Sequence, residues 1–351
     1  MDFSLSEERQ LLSDSLTRYL SDQYPIEHRI QAAYSDPYFD PLKWQELVEL
    51  GVPAALVSEE NGGFGGTGSD ISLVFAALGG ALASEPFLAL VMASRLLNAT
   101  GQNQEALVTG ATKYAAALSE PDAPYDLSDI VTTASDDHRL SGRKSAVYGG
   151  HVADTFLVAA KHEGVISLYE VLACDAEIIP YGLIDGGGAA EVLLDNTPAK
   201  LVLNKAEDAI QSALNAGVLA LCAEAVGAMN FAYETTLDYL KQRKQFGRPI
   251  GSFQVLQHRA VDMLTEIEQA RSITIKAAAE LDGPDASRFV SMAKNLIGRS
   301  SRLIAEEAIQ MHGGIAMTWE YSVSHYAKRL IMLDHQLGDT DYHLTKIMHD
   351  L

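Results

Sequence analysis

Residues 239–254 read YLKQRKQFGRPIGSFQ and form the most specific stretch of the chain. Four cations fall within eight of these residues, in a chain whose net charge is −21. Gly247 and Pro249 predict the end of one helix, and Gln254 predicts the start of the next. Arg243 would then lie in a gap between two helices, where a guanidinium binds phosphate or pyrophosphate through two parallel hydrogen bonds. The alternative is a solvated basic turn that pairs with nearby carboxylates.

A second motif follows towards the C-terminus, where residues 310–320 read QMHGGIAMTWE. Gly313 and Gly314 lack side chains, so the backbone there can approach a ligand closely. The same two glycines also suit a simple helix stop, in which a glycine lies just past the last turn.

Outward from these motifs, the chain divides into helical, β and helical regions. Apolar residues recur at helical spacing before residue 110 and after residue 207, whereas the middle alternates short apolar runs with Asp, Gly and Pro. Strands are predicted at 114–118, 155–159, 165–169 and 201–203. The predicted fold class is α+β, with a helical domain over 1–112, a small antiparallel β-barrel-like domain over 113–205 and a C-terminal four-helix bundle over 206–351.

Composition and charge indicate a globular chain and exclude some classes of partner. Hydrophobic residues make up 47% of the 351 residues and charged residues 21%, which is typical of a globular chain. A net charge of −21 repels nucleic acid and anionic membranes. The longest uncharged stretch, 209–223, has 15 residues and is too short for a membrane span, which needs about 18–20. Cys174 and Cys222 form no disulfide framework, and we expect them in an apolar core. No secretory signal is predicted, so a cytoplasmic protein is expected.

Four motifs in order resemble the acyl-CoA dehydrogenases, a flavoprotein superfamily with helical, β-sheet and helical domains in that sequence. They are FSLSEE at 3–8, EENGGFGG at 59–66, RKQFGRPI at 243–250 with Phe253 and Gln254, and QMHGG at 310–314 with Thr318 and Glu320. The resemblance covers essentially the whole chain. It implies FAD as cofactor, α,β-dehydrogenation of an acyl-CoA thioester in lipid or steroid catabolism, and electron-transfer flavoprotein or a similar protein as electron acceptor.

The resemblance also implies an oligomer, because family members bind FAD between two subunits. The residues lent to a neighbour's FAD are intact in this sequence. Arg243 would meet the pyrophosphate with Phe246 packed nearby, while Gln254 and the backbone from Gln310 to Gly313 and Gly314 would contact the adenosine side. A cation cluster and a glycine turn suit such a dianionic group.

The residues that serve the subunit's own flavin are less well kept. The family pattern Thr-Glu-Pro-Gly-x-Gly-Ser-Asp appears as SEPDAP at 119–124, so Ser119 keeps a hydroxyl but the glycines are lost. The family's Trp-Ile-Thr/Ser segment falls on 146–148, where Tyr148 is a partial substitute.

The catalytic base is missing from both positions where the family carries it. The family segment Glu-Gly-Thr-x-Glu reads LGDTD at 337–341, and the alternative position falls on Gly217. Neither Leu337 nor Gly217 can take the α-proton, a task for a carboxylate. Asp339 and Glu224 are weak candidates for a displaced base, although an aspartate near a turn is more often a helix cap. No histidine pair with metal-ligand spacing joins carboxylates, so no metal site is predicted.

Three readings therefore remain open. The chain is an active homomer with a displaced base, the partner subunit of a heteromeric enzyme such as a heterotetramer with a second acyl-CoA dehydrogenase, or a flavin-free helical scaffold. We favour the partner subunit, because intact residues for a neighbour's FAD beside eroded residues for its own are what that role requires. Association is expected through apolar stripes on the C-terminal helices, one formed by Val218, Leu219, Ala225, Val226 and Met229 and a second that begins at Leu256.

Overall fold

The computed structural model describes residues 7–349 of the chain, so most of the FSLSEE motif at 3–8 lies outside it. The helices that precede the sheet are α1 (Glu7–Gln23), α2 (Ile26–Ala32), α3 (Pro41–Glu49), α4 (Val52–Ala55), α5 (Gly68–Ala81), α6 (Phe87–Thr100) and α7 (Glu105–Val108). Asp40 begins α3 as its N-cap, since its carboxylate accepts the N–H of Leu42 at 2.9 Å. The glycine motif at 59–66 connects α4 to α5 and packs tightly, since a Cβ on Gly63 would lie 2.1 Å from the Val57 carbonyl oxygen.

The sheet follows residue 113. Its strands are β1 (Tyr114–Ala117), β2 (Thr133–Ala134), β3 (Arg139–Tyr148), β4 (Thr155–His162), β5 (Val165–Leu172), β6 (Glu177–Gly182), β7 (Gly188–Pro198) and β8 (Lys200–Leu203). They lie in the order β6-β7-β3-β2-β4-β5-β8, with β1 paired to β4. All four predicted strands are confirmed, and β2, β3, β6 and β7 are additional.

The prediction of an antiparallel, barrel-like sheet needs correction. Both β1 and β2 run parallel to β4, so the sheet is mixed, and over the described residues the strand order runs from β6 to β8 without closing into a barrel. The parallel pair is set at its first residues, where the Asp154 carboxylate accepts the Lys113 N–H and the Lys113 carbonyl accepts the Asp154 N–H, both at 2.8 Å. The long segment through β2 and β3 supplies the crossover that a parallel pair requires.

After the sheet, the described chain forms α8 (Glu207–Gln242), a hairpin of β9 (Lys244–Gln245) and β10 (Arg248–Pro249), α9 (Gln254–Glu280), α10 (Ala286–His312), α11 (Ser322–His335) and α12 (Thr340–His349). Within residues 7–349, α8 is the one helix long and apolar enough to cross a membrane by length and composition, and 83% of its most apolar window is buried inside the protein. A core helix of a globular protein meets the same criteria.

Backbone contacts divide the chain into two compact units. One comprises residues 1–30, 68–83 and 218–351, and the other comprises 31–67 and 84–217. The three-domain boundaries at residues 112 and 205 stay a prediction. In the second unit, the sheet buries an apolar cluster that includes Leu140, Phe156, Val158 and Tyr169, each at most 1% exposed.

In the first unit, α5 and α8 touch backbone to backbone. A Cβ added to Gly79 would lie 2.1 Å from the Glu224 carbonyl oxygen, and one added to Gly227 would lie 2.0 Å from that of Ala76. Such close packing accounts for the apolar stripe of α8, whose residues are at most 5% exposed within the chain: Val218, Leu219, Ala225, Val226 and Met229. The prediction that this stripe forms an intermolecular surface is therefore wrong.

Large apolar side chains are instead exposed on α9. Val261 is 61% exposed, Leu264 40% and Ile275 42%, while the neighbouring Met263 and Ile267 are fully buried. The two cysteines also differ, because Cys222 is buried as predicted and Cys174 is exposed.

Candidate cofactor and substrate site

Arg243 leads from the end of α8 into the β9–β10 hairpin. Its N–H donates to the Tyr239 carbonyl at 2.8 Å, and its carbonyl accepts the Ile250 N–H at 2.8 Å. The two-residue turn of the hairpin has φ +51° at Phe246 and +78° at Gly247. Two positive φ angles are the geometry of a type I′ turn, which matches the twist of a two-stranded ribbon. The hairpin thereby fixes where the exposed Arg243 leaves the helix.

Phe246 points away from the protein at the tip of this hairpin, with 90% of its surface exposed. Its ring meets Phe253 edge to face, with centroids 6.2 Å apart. Arg248 lies 4.2 Å from the centre of the Phe253 ring, a cation–π contact. Gln254, the first residue of α9, is also exposed. Three of the predicted cofactor residues, Arg243, Phe246 and Gln254, therefore face solvent from one short segment.

The glycine motif lies at the end of α10. Gly313 follows the last helical residue with φ +70° and ψ −149°, and its N–H bonds to the Ile309 carbonyl. A Cβ built on Gly313 or Gly314 would meet nothing within 4 Å, so both glycines face open space that a ligand can enter. Gln310 is exposed one turn earlier on α10.

Contacts between aromatic rings bring these two motifs together. The His312 ring lies 4.5 Å from the Tyr239 ring and 5.3 Å from the Tyr321 ring. Tyr239 stands one turn before Arg243, and His312 directly precedes Gly313. The ring of His312 is buried, which lowers its pKa, and its Nδ1 lies 2.8 Å from the Ala308 carbonyl oxygen. The structure thus joins the cation-bearing hairpin to the open glycines through a packed, neutral histidine.

The geometry of this part fits an organic diphosphate. Arg243 supplies a forked donor, Gly313 and Gly314 leave room for close backbone approach, and Phe246 offers an exposed ring beside them. The Tyr239–His312 contact brings the end of α8 against the end of α10, the two elements from which the predicted residues for the adenosine diphosphate half of FAD extend.

The predicted residues for the chain's own flavin lie in the other unit. The half-buried Ser119 offers its carbonyl to the Ser145 N–H at 3.0 Å, which places Ser119 beside β3. Tyr148 ends the same strand. Two residues before Tyr148, Ala146 has φ +50°, and the pairing of β3 with β7 shifts register between Lys144 and Val147. This β-bulge changes the direction in which the side chains at the end of β3 point.

A tight turn replaces the family's glycine loop after Ser119. Glu120 and Ala123 exchange two backbone hydrogen bonds of 3.1 Å. The Glu120 carboxylate is directed into the protein, where it accepts the Lys144 ammonium at 2.7 Å and the Thr132 hydroxyl at 2.6 Å. The segment 119–124 is therefore anchored to β3 by a buried ion pair.

The pKa values of Lys144 and Glu120 are both lowered, but for different reasons. Burial lowers the pKa of Lys144 to about 8, and Glu120 opposes the change. Burial alone would raise the pKa of Glu120, but the hydrogen bonds from Lys144 and Thr132 lower it overall. Neither residue was predicted to have this role, because a lysine inside a strand is recognised as buried only once its carboxylate partner is placed.

The turn around Leu337 is held by a second buried lysine. Lys294 is fully buried on α10 and donates to the carbonyls of Leu333, Asp334 and Gly338 at 2.7–2.8 Å. Burial lowers the pKa of Lys294 to about 8. His343 adds a contact of 3.1 Å from its Nε2 to the Leu337 carbonyl oxygen. This scaffold holds Leu337, the residue that the resemblance places at one of the family's base positions.

The candidate displaced bases have other partners. An oxygen of Asp339 accepts the Tyr342 N–H at 2.8 Å, so Asp339 caps α12. Glu224 is 7% exposed and accepts both the Nε and an Nη of Arg329, at 2.6 and 2.8 Å. Abstraction of a proton by Glu224 would disrupt two charge-assisted hydrogen bonds. Gly217 lies buried within α8.

Solved structures share this arrangement of helices and sheet. The ChsE4–ChsE5 complex from Mycobacterium tuberculosis matches with a TM-score of 0.91 at 24% identity, over 100% of this chain and 98% of that chain. The Tcur3481–Tcur3483 steroid ACAD, a G363A variant, matches with a TM-score of 0.91 at 25% identity, over 99% and 98%. The fold is therefore that of the flavoprotein dehydrogenases that the motifs resemble.

Sequence comparison identifies the family. Residues 208–351 match the family model for the acyl-CoA dehydrogenase C-terminal domain. Acyl-CoA dehydrogenase IpdE2 of Mycolicibacterium smegmatis is 30% identical over 330 residues, which cover 93% of each chain. Acyl-CoA dehydrogenase FadE12 of M. tuberculosis is 30% identical over 355 aligned positions, 92% of this chain and 90% of that protein. The chain belongs to the acyl-CoA dehydrogenase family.

Proposed function

We propose that this chain works in the FAD-dependent α,β-dehydrogenation of an acyl-CoA thioester as the partner subunit of a heteromeric enzyme. In this role it lends its diphosphate-binding residues to the FAD of a catalytic subunit. The observation that carries the proposal is an asymmetry within the chain. Arg243, Gly313 and Gly314 are exposed, and the helices that carry them meet at the Tyr239–His312 contact. Leu337 and Gly217 occupy the positions where the resemblance places the base, and neither can take a proton.

The role of the exposed residues follows from their chemistry. The guanidinium of Arg243 would hold the pyrophosphate by paired hydrogen bonds, and the open glycines would let their backbone reach the adenosine side. Phe246 and Gln254 would contact the same ligand from the hairpin and the start of α9. When bound, FAD accepts the hydride that leaves the acyl Cβ. In the proposed enzyme, the catalytic subunit provides the carboxylate that removes the α-proton.

The chain's own flavin half supports the same conclusion. Its Ser119 segment lacks the glycines that would let backbone N–H groups approach a flavin, and the Glu120–Lys144 pair fixes that segment against β3. Ser119 and Tyr148 stay candidates for contacts with a flavin held more weakly in this site.

The proposed substrate is a fatty-acyl or bulkier acyl-CoA thioester, including steroid side-chain thioesters. A neighbour described as a steroid ACAD at 25% identity supports the bulkier class. Electron-transfer flavoprotein or a similar protein would reoxidise the flavin. We also propose a cytoplasmic location, as the exposed Cys174 and the buried Cys222 are both free thiols.

Purification with and without a second acyl-CoA dehydrogenase subunit tests the proposal. The chain would be expressed alone and together with an acyl-CoA dehydrogenase encoded by an adjacent gene. The flavin absorbance per protein would then be compared between the two preparations. The proposal predicts a stable complex that retains FAD and little flavin on the isolated chain. A chain that is saturated with FAD by itself and forms no complex would support the active homomer instead. Absence of flavin from both preparations would support the scaffold.

A further inference from the structure

The tip of the β9–β10 hairpin holds an aromatic residue in an unusual backbone conformation. Phe246 has φ +51°, in the left-handed region that residues with a side chain rarely adopt, and 90% of its surface is exposed. Such a conformation persists only where the surrounding structure holds the residue in place, and it is concentrated at functional sites. The contacts of the Phe246 ring therefore indicate how its position is set.

Phe253 provides a fixed anchor for this ring. It directly precedes α9, and its carbonyl accepts the N–H groups of Leu256 and Gln257 at 3.0 and 3.3 Å. Its own N–H donates to the Ile250 carbonyl at 3.0 Å, so the backbone of Phe253 is hydrogen-bonded on both sides. The half-buried Phe253 ring is thus attached to the start of a helix of 27 residues.

Two side chains of the hairpin contact the Phe253 ring. Phe246 meets it edge to face, with ring planes at 88°. The guanidinium of Arg248 lies over it, 4.2 Å from its centre. Arg248 pairs with Gln245 across the two strands and so flanks the turn that carries Phe246. A cation–π contact and an aromatic pair both attract their partners, so together they tie the hairpin to the start of α9 at two points.

The backbone of the hairpin fixes Arg243 by a different route. The Arg243 carbonyl accepts the Ile250 N–H at 2.8 Å, which closes the base of the hairpin. Arg243 is therefore placed by main-chain hydrogen bonds, whereas Phe246 is placed by side-chain contacts. Removal of the contacts of Arg248 or Phe253 would free the tip of the hairpin without moving Arg243.

We propose that Arg248 and Phe253 are positioning residues that hold Phe246 ready for the adenosine diphosphate half of FAD. This inference rests on the proposed function, in which Phe246 contacts that ligand. A side chain that is already held in its binding geometry loses less conformational entropy on binding, so the affinity for the ligand rises. In this arrangement Arg248 acts through Phe253 and not through its charge on the ligand.

Equilibrium dialysis of FAD against the complex of this chain with its catalytic subunit tests the proposal. Arg248→Gln should weaken FAD binding about two- to fivefold, the scale of an exposed cation–π contact, and Arg248→Lys should recover most of the loss. Phe253→Leu should weaken binding at least as much, and Phe253→Tyr should restore it. Lys276→Gln is the control, since it removes a cation 4.5 Å from the Phe289 ring, about 30 Å further along α9, and should leave FAD binding unchanged.

A double-mutant cycle separates positioning from a direct effect of charge. Because Arg248 acts through Phe253, Arg248→Gln should weaken FAD binding no further in the Phe253→Leu background. Equal losses in both backgrounds would mean that the Arg248 charge acts on the ligand itself, which would refute the assignment. If Phe253→Leu fails to fold, Phe253→Met replaces it in the cycle.

Hydrogen exchange of residues 244–252 in the isolated chain provides a measurement that needs no FAD. Exchange should be faster in Arg248→Gln and in Phe253→Leu than in wild type, and unchanged exchange in both would overturn the proposal.

Arg243→Ala distinguishes failure of this inference from failure of the proposed function. If FAD affinity falls in Arg243→Ala but stays unchanged in the Arg248 and Phe253 variants, the positioning role alone is wrong. If FAD affinity is unchanged in all of these variants, the ligand does not lie at the hairpin, and both proposals are wrong.

Discussion

At the scale of single residues, Arg243 carries most of the proposed cofactor contact. Arg243→Ala should lower FAD affinity ten- to a hundredfold in the complex with the partner subunit, since hydrogen bonds to charged groups contribute about 1.5–3 kcal/mol. Arg243→Lys should recover only part of the loss, because a point charge cannot form the fork. Retained flavin after gel filtration is the measurement.

A matched control is available on α10. Arg302 is an exposed arginine paired with Glu306 at 2.9 Å, and its replacement by alanine removes the same charge away from the proposed site. Arg302→Ala should retain wild-type flavin content. If Arg243→Ala also retains it, the pyrophosphate lies elsewhere.

His343 should make the free energy of unfolding decrease in mild acid. Its Nε2 faces the Leu337 carbonyl oxygen, which can only accept, so Nε2 carries the proton and Nδ1 accepts from the Ser291 hydroxyl. Burial and then the charge of Lys294 lower the pKa of His343 from 6.5 to about 4. Below pH 6.5 the unfolded chain takes up a proton that the folded chain does not, so stability falls between pH 6.5 and 4.

The expected effect is about 2 kcal/mol between pH 7 and pH 5, from a shift of about 1.4 kcal/mol per pKa unit. Urea unfolding at the two pH values, in wild type and His343→Gln, measures it. The variant should be less stable at pH 7 but should lose less stability on acidification. Equal losses in both proteins would mean that His343 is not kept neutral by the fold.

At the scale of elements, the contact between α5 and α8 depends on two glycines. Gly79→Ala and Gly227→Ala would each place a methyl group about 2 Å from a backbone oxygen of the facing helix. The helices must separate, and we expect a loss of about 2–4 kcal/mol in unfolding free energy, as for other overpacked cores. Denaturant unfolding measures this loss.

Gly80 provides the control on the same helix. A Cβ on Gly80 would lie 4.0 Å from the Gly227 carbonyl oxygen, which is an ordinary van der Waals contact. Gly80→Ala should therefore be neutral or stabilising by up to about 1 kcal/mol, because alanine favours the helix. Equal effects at Gly79 and Gly80 would contradict the close approach of α5 and α8.

The local pattern of hydrophobic residues predicted strands whose residues are nearly all buried. The strand predicted at 155–159 lies within β4, whose first six residues are all buried and apolar apart from Thr155. The ten residues of β3 escaped prediction because Lys144 occupies a buried position that makes sense only with Glu120 opposite. Parallel pairing of β1 with β4 also involves residues 41 apart, which no local window compares.

The candidate site was predictable in parts. The motifs indicated Arg243 and the Gly313–Gly314 turn, but the contact between Tyr239 and His312 that joins them depends on how α8 and α10 pack. The cap at Asp339 was foreseen as the alternative to a base. Lys294 gave no signal in sequence, because its three acceptors are backbone carbonyls.

At the scale of the whole molecule, the exposed face of α9 is where we expect the second subunit to pack. Gln254 is the first residue of α9, and the proposed function assigns it to a shared FAD. We therefore expect the subunit that shares this FAD to contact the start of α9 and to continue along the helix. Val261→Glu with Leu264→Glu should lower the mass of the assembly in light scattering, since the two side chains are 61% and 40% exposed and a charge there opposes an apolar interface. Leu42→Glu, 69% exposed on α3, is the control. An unchanged assembly mass would place the interface elsewhere.

We propose that this chain lacks a catalytic base of its own. General-base catalysis contributes about 10²–10⁴ in rate, and binding interactions do not replace it. Dye reduction with a panel of acyl-CoA esters, on the isolated protein supplemented with FAD, measures the claim most directly. We expect little or no turnover by the isolated chain, and turnover in its complex with a catalytic subunit. Robust turnover by the isolated chain would contradict it, and loss of that turnover in Asp339→Asn with flavin still bound would identify Asp339 as the displaced base.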